Sequence, residues 1–317
     1  MLIKCMIVAS AGKTGHLRQA EAVAGRLGTQ HRVITSSSVT IQDLDMVSDV
    51  HVVLAAGRQS IAPPRRLRKL AAPGPLLAVL QPVVWRPSDF DVIWAPIHDR
   101  ARHWFGAGPR LVETLTAPSA ITDRLAQQKA AWLRSAFPIA GAPIVGVLLG
   151  GRSSAHRCGT AEIEELAARL QAFASLHDAT LLVTTSRRSP EGAAALIRER
   201  LGDPRHLVFD ALNPGSAAPA DVYAGIIGLA DAFVVSNDSV AMLSEAAANG
   251  KPIYAWRLPG GKAKFERVYT GLQRHGALRW FDGSLDRWSY PPLDAAGVVA
   301  GAIRDRLGFT SGPGERI

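Results

Sequence analysis

Three short stretches carry residue types suited to gripping an anion without a metal ion. Asp238-Ser239 follows an apolar run at 232–235 and opens a segment rich in Ala, Met, Leu and Glu. Side-chain oxygens at that point can satisfy the unpaired amides of a first helical turn, whose positive dipole end favours phosphate. Ser186-Arg187-Arg188 follows the run at 180–184, and Gly150-Gly151 follows the run at 144–149. Two guanidinium groups and two amide-rich turns meeting in one place would neutralise a diphosphate. Glu245, beside Ala246, Ala247 and Ala248 in mid-helix, has the acceptors to hold two ribose hydroxyls. Each stretch also has a plainer reading: most helix starts in doubly wound folds hold no ligand, and Glu245 is equally a solvated helix carboxylate.

A second set lies near the start. Ser10-Ala11-Gly12-Lys13-Thr14-Gly15-His16 joins an apolar run to a helix. It is not a P-loop, because no glycine stands five residues before Gly12. A tight turn or an anion loop fits it equally. His16, with Gly15 and Gln19 beside it, stands where a base could reach a substrate hydroxyl. Gly57-Arg58 closes another strand in a second loop. His98-Asp99 follows the run at 91–95 and reads either as a polar site or as a helix cap with a satisfied histidine.

These positions need a scaffold that brings them to one edge. Apolar runs predict strands at residues 1–9, 31–35, 50–55, 76–80, 91–95, 144–149, 180–184, 206–209, 232–235 and 253–256. Between them, Leu17, Ala20, Val23, Ala24 and Leu27 share one helical face, and helices are expected at 115–137, 160–176, 191–201 and 221–229. A helix opening at Asp238-Ser239 stops at Asn249-Gly250 with Pro252 just beyond. A last helix is expected at 293–307. Strict alternation of this kind makes parallel sheets, whose carboxyl edges collect every polar candidate named above.

The chain is long enough for two domains of ordinary size. A strand opening into a glycine loop occurs twice, at 1–16 and at 144–154, with proline-rich punctuation at 138–143 between. The expected fold is therefore α/β: two Rossmann-like doubly wound domains facing a central cleft. We expect residues 1–137 to form the first domain and 138–292 the second, with 293–317 a helix crossing back to the first followed by a loose tail.

Composition narrows the class. Hydrophobic residues make up 47% and charged residues 20%, as in a folded soluble protein. No apolar run approaches a membrane span, and the first strand is too short for a secretory core, so a cytoplasmic or peripheral protein is expected. Cys5 and Cys158 show no metal-ligand spacing, and no metal site is expected. Asp43-Leu44-Asp45 sits in an apparent loop. Of the net charge of +9, most lies in residues 1–130, which hold 16 basic against 9 acidic side chains. The excess is densest at Arg65, Arg66, Arg68 and Lys69, on a helix expected after Pro63-Pro64, which suits either a solvated face or attraction to an anionic membrane surface. Aromatics are not interleaved with these residues, which disfavours nucleic acid. Trp280, Phe281, Trp288 and Tyr290 read as core.

Taken together, residues 184–188 and 236–252, with Gly15-His16 and Gln19, Pro96 with His98-Asp99, and Gly150-Gly151, resemble the mitochondrial fission ELM-type family, classed among bacterial glycosyltransferases of the GT-B type. The likeness covers most of the chain. It implies that the second domain holds a nucleotide diphosphate sugar as donor substrate, with no other cofactor. On that reading Gly150, Gly151, Ser186, Arg187, Arg188, Asp238, Ser239 and Glu245 line the donor site. Glu245, five residues before Gly250, resembles the ribose-binding glutamate of GT-B enzymes. Gly15, Gln19, Gly57 and His98 fall on the acceptor side, and His16 or Asp99 would be the catalytic base. The chain departs from the family at Ala11, where members often carry an acid. The function expected is a metal-independent glycosyltransferase acting on an unidentified acceptor, lipid-linked or in the cell envelope, at the inner face of the cytoplasmic membrane. The alternatives are a noncatalytic scaffold protein on the same fold and, third, a sugar-nucleotide epimerase.

Overall fold

A computed structural model describes residues 3–10, 12, 14–35, 49–70, 74–81, 83, 85–102, 108–141, 143–215 and 217–309. Asp43-Leu44-Asp45 and Ala11 lie outside them. The chain forms two compact units, one of Met1–Ala120 with Asp294–Ile317 and the other of Ile121–Leu293.

In the first unit six strands, β1 (Lys4–Ala9), β2 (Gln30–Thr35), β3 (Val52–Ala56), β4 (Leu76–Leu80), β5 (Val92–Pro96) and β6 (Leu111–Thr114), form a parallel sheet in the order β2-β1-β3-β4-β5-β6. The inner strands β1, β3, β4 and β5 are buried on both faces and read as continuous apolar runs, whereas the edge strands β2 and β6 are largely exposed or half-buried. Cys5, Ile7 and Ala9 of β1 join one core with Ala20, Val23 and Ala24 of α1 (Thr14–Leu27). Met6 and Val8 point to the other, with Phe90 and Val83. Helix α2 (Ala62–Leu70) follows β3 through a 3-10 turn at Arg58–Ser60.

The second unit repeats the plan with β7 (Ile144–Leu148), β8 (Thr180–Thr184), β9 (Leu207–Phe209), β10 (Ala232–Ser236), β11 (Ile253–Trp256) and β12 (Leu278–Trp280), all parallel, in the order β12-β11-β10-β7-β8-β9. Counted from β7, this is the Rossmann order, which reverses between β7 and β10. Its helices are α3 (Asp123–Ala136), α4 (Thr160–His177), α5 (Ala193–Leu201), α6 (Pro219–Leu229), α7 (Val240–Ala247) and α8 (Ala263–Arg274). The last helix, α9 (Ala295–Arg306), belongs to the first unit, where Ala296, Val299, Ala300 and Ile303 share the core of α1.

The boundary differs from the expected break at 137/138. Helix α3 packs against α6 in the second unit, and the reason lies in two glycines of α6. A Cβ on Gly228 would stand 2.3 Å from the Ala126 carbonyl oxygen, and one on Gly225 2.9 Å from that of Lys129. Only glycine lets the two backbones approach so closely, and Lys129–Asp221 at 2.7 Å seals the contact. Expected as 115–137, this helix starts later because Thr122 caps it, accepting from the Leu125 amide at 3.2 Å. Three elements escaped prediction: β6, α8 and β12.

Candidate functional site

In the second unit the loops after β7, β8 and β10 meet at the carboxyl edge, where the strand order reverses. Asp238 is their centre. Its side chain is fully buried, and its carboxylate accepts from Ser236 Oγ at 2.7 Å, the Gly151 amide at 3.1 Å and Arg188 Nη1 at 2.5 Å. The Ser236 hydroxyl also accepts from the Gly150 amide at 2.7 Å. Below the pair, the hydroxyls of Ser186 and Ser189 each donate to the Gly150 carbonyl at 2.6 Å, and the Arg152 amide donates to the carbonyl of Arg188 at 3.0 Å.

This geometry corrects two sequence expectations. Gly150 and Gly151 are not an open amide cradle, because both amides already have acceptors inside the protein. They are glycines for lack of room. A Cβ on Gly150 would fall 2.4 Å from both Asp238 carboxylate oxygens, and one on Gly151 2.0 Å from the Arg188 carbonyl oxygen. Asp238 is not the cap of the following helix either. That is Ser239, whose Oγ accepts from the Met242 amide at 3.4 Å. Asp238 turns inward and positions Arg188 beside the helix start.

What faces outward is a different subset. Arg187 is exposed, and no carboxylate pairs with it among the described residues. The Arg188 side chain remains 40% exposed although ion-paired. The first turn of α7, with Val240 half-buried and Ala241 exposed, presents its amide end at the same edge. Together these can neutralise an anion without a metal ion. Glu245 lies six residues beyond Ser239, about 9 Å along the helix axis. Its Oε2 accepts from the Tyr223 hydroxyl at 2.6 Å, so α6 holds the carboxylate in place.

Sequence reasoning missed four members of this neighbourhood: Ser189, Ser236, Tyr223 and His156. Residue type gave no signal for the two serines and the tyrosine, since each has a partner 22 to 86 residues away in another loop or helix. His156, in the loop after β7, is 2% exposed. Its ring stacks on Phe265, and its Nε2 has no hydrogen-bond partner. Burial pushes its pKa below the usual value and Arg188 pushes the same way, outweighing the pull of Asp238 and Glu266. Cys158 lies nearby, but burial, with Asp238 and Glu162 adding to it, raises its thiol to about 11, too high for a nucleophile at neutral pH.

The first unit carries its own carboxyl-edge cluster, where its strand order switches between β1 and β3. Gly57, at φ 90°, lies against the imidazole of His16: a Cβ there would stand 2.4 Å from Nδ1 and 3.1 Å from Ser10 Oγ. Ser10 and Ser60 share a hydrogen bond at 3.2 Å. His16 and Gln19 are half-buried on α1, whereas a Cβ on Gly15 would meet open space. His98 and Asp99, both half-buried, occupy a 3-10 turn after β5. With β3 and β4 between β1 and β5, that turn stands about 14 Å from the His16 strand at ~4.8 Å per strand. The sheet thus groups His16 with Gly57 and sets His98-Asp99 apart.

Among solved structures, a UDP-GlcNAc 2-epimerase from Methanocaldococcus jannaschii is similar, with a TM-score of 0.57 at 10% identity over 96% of this chain and 100% of that one. The ADP-heptose lps heptosyltransferase II of E. coli is similar too, with a TM-score of 0.51 at 12% identity over 95% of this chain and 98% of that one. At such identities the likeness concerns the fold alone, two Rossmann-like units of the GT-B fold type. The Mitochondrial fission protein ELM1 of Arabidopsis thaliana is 29% identical over 279 residues, 81% of this chain and 64% of the relative, so the chain spans somewhat under two thirds of that protein's length. A family model described as mitochondrial fission ELM1 matches residues 14–307, and with that match the chain belongs to the mitochondrial fission ELM1 family.

Proposed function

We propose that the chain is a GT-B glycosyltransferase that takes a sugar from a nucleoside diphosphate sugar and grips the diphosphate with protein groups alone. One observation carries this reading: a buried carboxylate, Asp238, fixes Arg188 at the start of α7, at the point where a Rossmann-ordered sheet reverses. Such a point is where open α/β sheets bind ligands, and a guanidinium held in place costs little to reorganise.

On this reading Arg187, the outer face of Arg188 and the first turn of α7 meet the diphosphate, and Glu245, steadied by Tyr223, takes the ribose hydroxyls. The acceptor oxygen bonds to the anomeric carbon as the bond from that carbon to the phosphate oxygen breaks. The nucleoside diphosphate leaves with the electron pair, its new charge met by the guanidinium groups. The acceptor proton passes to His16, the candidate base of the first unit, whose Nδ1 packs on Gly57. Asp99, set three strands away, is left to the acceptor side with His98, Gln19 and Gly15. The basic excess of the first 130 residues favours an anionic acceptor, lipid-linked or in the cell envelope, met by a cytoplasmic protein that attaches peripherally at the membrane. No helix among the described residues is long and apolar enough to cross a membrane.

A noncatalytic interaction protein is the second reading. Two observations favour it: the Gly150 and Gly151 amides are consumed internally, and the Arabidopsis relative is named for fission and not for chemistry. Calorimetry with UDP, ADP, GDP and CDP separates the two. The transferase reading expects one of them to bind, and Arg187→Ala to weaken it about tenfold, the loss of one charge-assisted hydrogen bond. Binding of none sinks it in favour of the scaffold; binding that ignores Arg187→Ala removes the phosphate role of that residue.

A further inference from the structure

The first unit carries a feature that the donor site does not use. Trp85 is 73% exposed, and it is the one aromatic side chain among the exposed large hydrophobics of the described residues. Its turn is rigidly presented. Arg86 follows it in left-handed backbone, φ 52° and ψ 59°, a conformation rarely adopted by a long side chain. Arg65 of α2 locks the turn from below, donating to the carbonyls of Trp85 and, at 3.2 Å, Arg86, while its Nε lies 2.8 Å from Asp89. One turn on, Arg68 donates to the Asp89 carbonyl at 2.8 Å and to both oxygens of Asp91 at 2.9 and 3.0 Å. Helix and turn enclose a hollow of about 200 Å³ lined by Arg65, Arg68, Trp85, Arg86 and Asp89.

Charge and shape select the occupant. Asp89 and Asp91 neutralise Arg65 and Arg68, but Arg66 and Arg86 are exposed and pair with no carboxylate among the described residues. An exposed indole with the uncompensated Arg86 next to it in the turn, and the uncompensated Arg66 next to Arg65 on the helix that holds that turn, suits the boundary between lipid headgroups and acyl chains, where indole is at home and phosphate is dense. A lone aromatic is no stacking platform for a nucleic acid. Nor does one side chain make the contiguous apolar patch that a stable protein partner needs.

We propose that the Trp85-Arg86 turn, with Arg66, is a docking surface for an anionic lipid bilayer, Trp85 entering the interface while Arg66 and Arg86 meet lipid phosphates. This inference deepens the peripheral-membrane part of the function above and rests on it, but not on nucleotide binding. The test is co-sedimentation of the full chain at low ionic strength with vesicles of phosphatidylcholine, with and without phosphatidylglycerol. Binding is expected to the charged vesicles alone and to fall as salt rises. Arg66→Glu with Arg86→Glu is expected to weaken it more than twentyfold, since each arginine near such a surface is worth about fivefold. Trp85→Ser is expected to weaken it severalfold and to lessen fluorescence quenching by brominated lipid. All three sites are exposed, so the thermal transition should stay where it is. A chain that ignores charged vesicles, that binds neutral ones equally, or whose variants bind as the parent does overturns the proposal. UDP calorimetry on the same samples keeps that failure distinct from failure of the transferase reading.

Discussion

Replacing Gly150 with alanine tests whether the glycine loop is a packing device or a phosphate cradle. The backbone itself permits the change, because Gly150 is not among the residues with positive φ. The obstacle is Asp238, whose carboxylate oxygens lie 2.4 Å and whose Cγ lies 2.7 Å from the new methyl position. Restoring an ordinary contact near 3.4 Å requires the carboxylate to retreat by about 1 Å, because methyl carbons in cores do not sit closer. It cannot retreat and keep its bonds to Ser236, the Gly151 amide and Arg188. Overpacking costs ~1–3 kcal/mol. The Gly151 amide, left buried without an acceptor, adds ~1–3 kcal/mol. The Arg188 pair adds less, ~0–1 kcal/mol, because water screens a guanidinium that is 40% exposed. The total is about 4 kcal/mol, a large share of the ~5–15 kcal/mol that stabilises a typical domain. Urea unfolding followed by circular dichroism should show it in the transition of the second unit. The Gly150→Ala, Asp238→Ala double variant removes the obstructing carboxylate, so it should lie ~1–3 kcal/mol above the sum of its parents. A loss under 1 kcal/mol for Gly150→Ala, or a strictly additive double variant, would refute the reasoning; an open cradle would accept the methyl and lose only ligand.

Gly57→Ala should destabilise the first unit by ~2–3 kcal/mol, from backbone strain at φ 90° and from collision with His16, while Gly15→Ala, with open space at its Cβ, should stay within ~0.5 kcal/mol; thermal melts of the pair check both. His206 and His156 are buried with pKa values lowered chiefly by burial, and His206 Nδ1 must stay unprotonated to accept from the Leu181 amide at 3.2 Å. Because the folded state resists protons that the unfolded chain accepts near pH 6.5, their stabilisation is complete above that pH and declines below it, so urea midpoints should fall from pH 7 to pH 5. His206→Gln should flatten that slope, and an unchanged slope contradicts the assignment. If the proposed ribose contact holds, Glu245→Ala should weaken nucleoside diphosphate binding about tenfold and Tyr223→Phe about threefold, read by calorimetry; equal binding of UDP by all three proteins would remove Glu245 from the site.

Much of the scaffold was readable because buried parallel strands are continuous apolar runs, and the runs at 76–80, 180–184 and 253–256 match β4, β8 and β11 residue for residue. The helix expected at 191–201 stops at Leu201, with Gly202 as its left-handed C-cap, whereas the stop expected at Asn249-Gly250 comes earlier, at Ala247. The elements that escaped lack such marks. Strand β6, Leu-Val-Glu-Thr, is a half-exposed edge strand, and β12 is three residues long with an arginine at its centre. Helix α8 starts at Lys262 with no side-chain cap.

For the site, composition and spacing determined that arginines, serines and a helix start would come to the carboxyl edge of one sheet, since strand–helix alternation allows little else. They also marked His16 and Glu245 as groups worth following. Tertiary structure decided which atoms are left for a ligand. Asp238 could have faced outward or inward, and it turned inward because Arg188 and the Gly151 amide, brought from two distant points of the chain, joined Ser236 to give a buried carboxylate the partners it needs. Burial without such partners costs more than any local preference supplies, so the choice belonged to the packed loops and not to the order of residues within any one of them.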